Sequence, residues 1–230
     1  MYIQLSQQIN MTENENSEIP DFSPDEFDND TEVKKWREAE KEFQKYIDDC
    51  IKVVSDSFNS TKSSHKNLKG FELHKLIETP FIIESHKGNF GKKTVFFSVI
   101  AYRTSVKTGR TTLSGSDNYF VGVITLDNSY PHTIIQEETA ALKLHNLFVR
   151  GDVDFKHARW FSFKFHVITK DEDRLRKLFE FVDLDRLTKF SNGEIELRDN
   201  QCYFRANRKP VSLQEANVFT DLAKTICEIF

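Results

Sequence analysis

From Thr31 to Phe58, apolar side chains return at every third or fourth position: Val33, Trp36, Phe43, Ile47, Cys50, Ile51, Val54 and Phe58, with Lys, Glu and Asp between them. That spacing is the period of a helix burying one stripe. At 1.5 Å per residue such a helix is about 40 Å long. One small sheet cannot cover it, so one end is expected to reach a partner. Residues 55–69 read as a polar loop.

Residues 71–136 change to strand patterns. Phe81-Ile82-Ile83 follow Pro80, and residues 95–102 are apolar at both alternating sets of positions. A central strand covered on both faces has that pattern. A turn at Lys107-Thr108-Gly109-Arg110 leads to a second β-rich run at 119–124, which predicts antiparallel pairing. Gly88-Asn89-Phe90-Gly91-Lys92-Lys93 lacks phosphate-loop spacing and precedes a strand rather than a helix, so it reads as a hairpin loop.

Further on, Phe161, Phe163, Phe165 and Val167 alternate with Trp160, Ser162, Lys164 and His166. The alternation predicts a strand with one apolar and one mostly polar face. Thr169-Lys170-Asp171-Glu172 is a capping-box pattern ahead of a helix striped with Leu175, Leu178, Phe179 and Val182. Residues 194–198 and 201–205 flank Asp199-Asn200, a two-residue hairpin turn. In that register Leu197 meets Cys202, Ile195 meets Phe204, Glu196 meets Tyr203 and Arg198 meets Gln201, which keeps each face consistent. Ser212-Leu213-Gln214-Glu215 is a second capping box, followed by Ala216, Phe219, Ala223, Ile226 and Phe230 at helical spacing. The predicted class is α+β: a mostly antiparallel sheet with a long N-terminal helix and a C-terminal helix packed against it. One domain is expected over 31–230, comprising the 31–58 helix, the 71–136 β-rich part and a strand–helix–hairpin–helix stretch over 153–230.

Composition sharpens this picture. The chain has 230 residues, 38% of them hydrophobic, and 21 phenylalanines that need a large aromatic core. It holds no run of about 18 apolar residues, so no membrane insertion is expected, and no basic flank with an apolar stretch that would mark a secretory signal. Cys50, Cys202 and Cys227 lie far apart, the pattern of free buried thiols in a reducing compartment, which predicts a cytoplasmic protein. Residues 1–30 carry eight acids and neither Lys nor Arg, and are expected to be an acidic disordered tail. Removing those eight from the 36 acids leaves 28 against 32 bases, so the body is mildly basic.

The order Val153-Asp154-Phe155, then Phe161-Ser162-Phe163-Lys164-Phe165-His166-Val167, then Asp171 leading into a Leu-rich helix, resembles the C-terminal part of a family of uncharacterised bacterial domains. Those domains usually follow transmembrane helices. The resemblance covers residues 118–205 and implies an α+β fold. The family has no assigned activity, so it implies no role for any residue, and this sequence lacks the membrane segment.

Three chemistries have candidate residues. Residues 85–116 contain Lys87, Lys92, Lys93, Arg103, Lys107 and Arg110 and no acid. Such a stretch can meet phosphates, with Phe90 or Tyr102 for stacking, as nucleic acids require. The alternative is that bases at hairpin tips block edge-to-edge association. Asp152 and Asp154, with His157 nearby, could hold a divalent metal for hydrolysis, against the simpler reading of Gly151-Asp152 as a turn before a strand. Trp36, Phe43 and Ile47 have the spacing of an interface with a protein partner or a second copy. No nucleophile–base–orienter set is present, so the sequence assigns no catalytic residue and implies no cofactor. A non-enzymatic interaction module leads the readings, with a nucleic-acid-binding protein and a metal-dependent hydrolase behind it.

Overall fold

The structure, a computed structural model, describes residues 31–64, 68–77, 80–108, 111–137, 153–207 and 209–230; the side chains of 31–33, 36 and 102–116 lie outside that description. Its elements are α1 (Thr31–Phe58), β1 (Thr61–Lys62), α2 (Glu72–Lys75), β2 (Phe81–Phe90), β3 (Lys93–Thr108), β4 (Thr111–Glu137), α3 (Arg159–Lys164), β5 (Phe165–Thr169), α4 (Glu172–Phe179), a 3-10 turn (Leu184–Lys189), β6 (Glu194–Arg205) and α5 (Leu213–Ile229). The class is α+β with a mostly antiparallel sheet, as the pattern predicted. No described helix is long and apolar enough to cross a membrane. The described residues divide into two units, 31–46 with 104–108 and 111–115, and those within 47–103 with 116–230; the tail expected over 1–30 lies outside the described residues. In the first unit, Phe43 and Tyr46 are exposed on α1.

In the second unit the apolar stripe of α1 begins at Ile47 and continues through Cys50, Ile51, Val54 and Phe58, all buried. Ile47 is therefore core and not interface, because it opens the stripe that packs on the sheet. The helix runs to Phe58, and β1 pairs Thr61 with Lys87, so the stretch expected as a loop is partly structured. A Cβ on Gly88 would stand 2.5 Å from the Phe58 carbonyl oxygen, so only glycine lets the end of α1 lie this close to β2. β2 and β3 form a two-residue hairpin, with Phe90 opposite Lys93 and Gly91 at a φ of +59°.

β6 sets the topology. Eleven residue steps at about 3.3 Å would hold the ends of a straight strand about 36 Å apart. Yet Arg205 Nε donates to Glu194 Oε2 at 2.7 Å, and a Cβ on Gly193 would lie 3.7 Å from the Ala206 carbonyl oxygen. The strand therefore doubles back at Asp199-Asn200, where Asp199 takes a φ of +53°. Both arms also pair antiparallel with β4: Gly122 to Thr125 against Phe204 to Gln201, and Tyr130 to Gln136 against Asp199 to Glu194. Two opposed arms can both be antiparallel to β4 only if β4 reverses as well. Leu126, Asp127, Asn128 and Ser129 carry it around the hairpin tip. The order across the sheet is β1, β2, β3, the first part of β4, the second arm of β6, its first arm, the last part of β4, then β5.

Alternation sorts the two faces of this sheet. One face carries Val95, Phe97, Val99, Phe120, Ile124, Ile135, Ile195, Leu197, Cys202 and Phe204 against α1, α4 and α5. The other carries Ile100, Tyr119, Val121, Val123 and Tyr203 under Leu68, Phe71, Leu73 and Ile77. β3 is thus buried on both sides over residues 95–101, where the apolar run predicted it. α5 starts as expected, with Ser212 Oγ accepting from the Glu215 N–H at 3.1 Å. The cap of α4 sits two residues later than the pattern suggested: Asp171 accepts from the Arg174 N–H at 3.1 Å.

The strand predicted from Phe161 to Val167 is only half a strand. Arg159–Lys164 is helical, which turns Ala158, Phe161 and Phe165 inward and leaves Phe163 outside. Side chain-to-backbone bonds stabilise that turn of helix against the strand alternative. Asp185 Oδ1 accepts from the Phe161 N–H at 2.8 Å, and Ser162 Oγ accepts from the Phe155 N–H at 2.8 Å.

Gly122 supplies a test of the hairpin's seat. Its cross-strand partner is Phe204, and a Cβ on Gly122 would fall 2.2 Å from that ring, which is also stacked 4.9 Å from the ring of Phe219. Gly122→Ala should cost about 1–3 kcal/mol by overpacking, read in urea unfolding, and adding Phe204→Leu should recover part of it. An unchanged midpoint in the single variant would mean the ring does not cover the glycine.

Candidate functional site

The residues singled out in the sequence do not converge. Lys93 is engaged within the fold, where its Nζ donates to the Cys227 carbonyl at 2.7 Å and lies 3.7 Å from the Asp127 carboxylate. Lys87 is exposed, with its ammonium 5.5 Å from the centre of the Phe96 ring, and Lys92 is exposed in the β2–β3 turn. The side chains of Arg103, Lys107 and Arg110, and of Trp36, lie outside the described residues, as does Asp152. Asp154 and His157 are exposed, and the His157 ring stands edge-on to Phe155 at 6.1 Å. Among the described residues no three His, Cys, Asp or Glu side chains gather as a metal set.

What the fold does gather is a buried polar band on the sheet face beneath residues 68–77. Cross-strand partners place His166, Gln136, Glu194 and Arg205 in one transverse row. Glu196 and Tyr203 stand in the next row. Arg205 holds Glu194 through both Nε and Nη2, and both residues are buried. Glu196 is wholly enclosed. Its Oε2 accepts from the Leu73 N–H at 2.8 Å, and its Oε1 lies 2.9 Å from His132 Nε2. Arg198 donates to the Gly70 carbonyl at 2.7 Å. Phe71 stacks on Tyr203 with ring centres 5.2 Å apart, and His74 stands edge-on to the same ring at 6.0 Å.

These groups clamp the 68–77 strap to the sheet. Both oxygens of Glu196 are committed, and Glu194 is neutralised by Arg205, so the described contacts commit both carboxylates to binding the strap and balancing charge. Burial, and then the nearby Arg205 charge, hold the His74 pKa below its ordinary value. Burial raises Tyr203. Burial also raises Cys202 and takes Cys227 up to about 12, so both remain thiols rather than nucleophilic thiolates. The sequence pattern hides the clamp because Glu194 and Arg205 look like ordinary strand residues. The hairpin register that pairs Glu196 with Tyr203 also places Glu194 opposite Arg205, and that opposite-charge pair was the available signal.

A second arrangement lies on α3. Its inner side is buried through Ala158 and Phe161, while Trp160 is 72% and Phe163 68% exposed, three residues apart on the outer side. Lys164 donates to the Thr188 carbonyl at 2.6 Å, which joins α3 to the 3-10 turn. The sequence pattern hid this surface by presenting Phe163 as an inward strand residue. Comparison with family models, with curated proteins and with solved structures returns no match.

The clamp generates two predictions. His74 takes up a proton more readily in the unfolded chain than in the native one, so its contribution is complete above the unfolded value near 6.5 and is lost as pH falls towards the lower native value. Urea midpoints should drop between pH 7 and pH 5.5, and His74→Leu should shrink that drop; an equal drop in both proteins would exclude His74 as its source. The Tyr203 hydroxyl is buried with no hydrogen-bond partner among the described residues. Tyr203→Phe should therefore be neutral or stabilise by about 1 kcal/mol, and a loss of that size would reveal a bond made by the hydroxyl.

Proposed function

We propose that the protein is a non-enzymatic interaction module of the cytoplasm that docks through the outer side of α3. The observation that carries this reading is the exposure of Trp160 and Phe163 on a helix whose backbone and inner side are fixed by Asp185, Ser162 and Lys164. Large exposed aromatic rings on a rigid mount can bind with little ordering cost. The buried titratable groups, by contrast, are engaged in holding the strap, which speaks against chemistry there. The three cysteines are free and buried, in keeping with a reducing compartment. Of the bases in 85–116, Lys93 is occupied within the fold, while Lys87 and Lys92 are exposed.

The test is a comparison of tagged full-length protein with Trp160→Ser/Phe163→Ser, recovered from cells under identical conditions, with co-purified protein and lipid both quantified. The double variant should melt within about 2 °C of wild type, as exposed substitutions do, and should lose a specific companion. Equal recovery of every companion by both proteins would sink the reading.

A further inference from the structure

Resting on that reading, we propose that α3 docks on an anionic membrane surface. Trp160 and Phe163 would enter the boundary between headgroups and acyl chains, while Lys156 and Arg159 meet lipid phosphates and carboxylates. Trp and Phe with neighbouring bases suit the depth at which apolar rings and polar tips are both accommodated.

The charge distribution selects this occupant. From residue 155 to residue 170 there is no Asp or Glu, while Lys156, Arg159, Lys164 and Lys170 all fall in that stretch. The net charge of −4 comes from the eight acids of residues 1–30, and residues 31–230 carry 32 bases against 28 acids. An anionic bilayer therefore repels residues 1–30 and attracts the mildly basic body, within which this stretch also presents two exposed rings. Lys156 and Arg159 are exposed, and Arg159 directly precedes Trp160 in the chain. Lys164 is bound to Thr188 and Ser191 and so fixes the helix rather than the lipid.

The shape agrees. A six-residue helix with two outward rings is a knob, whereas a stable protein interface needs about 800 Å² from each partner. Lipid needs no matching pocket. The bonds from Asp185 and Ser162 fix the backbone that carries the rings, so little backbone freedom is lost on insertion. Two rings and two bases give reversible attachment, in keeping with the lack of a spanning helix among the described residues.

The experiment is co-sedimentation of the full-length chain with vesicles of phosphatidylcholine alone or phosphatidylcholine with phosphatidylserine, at low and near-physiological salt. Binding should require phosphatidylserine, weaken with salt, and fall by at least about thirtyfold in Lys156→Glu/Arg159→Glu, the scale for losing two surface bases. It should also be lost in Trp160→Ser/Phe163→Ser, with thermal melts confirming that both variants fold. In a Trp36→Phe background, Trp160 emission should shift to the blue on adding the anionic vesicles. Wild type that fails to sediment with phosphatidylserine vesicles overturns the lipid assignment. If α3 variants still shed a protein companion, docking survives and the partner is a protein. Salt-sensitive binding of single-stranded RNA or DNA that α3 variants abolish, without vesicle binding, likewise overturns the lipid assignment in favour of nucleic acid.

Discussion

Pairing of both arms of β6 inside the two parts of β4 is the constraint on which the rest of this fold depends. Strands that would otherwise be edges of a short hairpin become central, so every inward residue of β6 must suit a buried face. On one side that requirement is met by Ile195, Leu197, Cys202 and Phe204. On the other side it is met by charge: Glu194, Glu196 and Arg205 lie under residues 68–77 and are satisfied by one another, by His132 and by a backbone N–H. Isolated charges buried this way would be strongly unfavourable, and pairing with full hydrogen bonding is what makes them tolerable. The return is specificity, since Glu196 fits only one placement of the Leu73 N–H and so fixes where the strap lies.

The parity of β6 explains why the hairpin was legible from sequence. Leu197 and Cys202 are separated by five positions, an odd number, yet both face the helices. A straight strand would put them on opposite faces. Only a reversal at Asp199-Asn200 reconciles the pattern, and the positive φ at Asp199 is the local means. The return of β4 around that tip had a local signal, since Asp127, Asn128 and Ser129 are turn-favouring residues just ahead of Pro131. What those residues do not reveal is that the two parts of β4 pair with the two arms of β6 rather than with each other.

Local signals succeeded where local forces decide. Ser212 caps α5 through the bond its position predicts, and the α1 stripe runs from Ile47 to Phe58 at regular helical steps. They failed at α3 because four large apolar residues at every second position satisfy a strand template, while the helix is chosen by Asp185, more than twenty positions away. The same limit hid the strap. Nothing around Glu72–Lys75 shows that a carboxylate more than a hundred positions away will take the Leu73 N–H. Glu196 caps a helix it does not belong to.

Rigidity on one side of the chain and exposure on another are linked through the 3-10 turn. Leu184 and Leu187 are buried in the main core, while Asp185 and Thr188, between and beside them, hold the backbone and Lys164 of α3. The turn therefore transmits the order of the core to a short helix that could not persist alone, since a six-residue helix lacks the length to offset its own nucleation. Trp160 and Phe163 thus stand on a fixed backbone while 72% and 68% exposed, against the trend that buries most of the other described phenylalanines. Selection for stability alone would favour polar residues at such sites, as surface substitutions there are nearly free of folding cost. A rigid mount carrying two apolar rings is the arrangement expected when contact with something outside the chain, rather than the fold, sets the choice of residue.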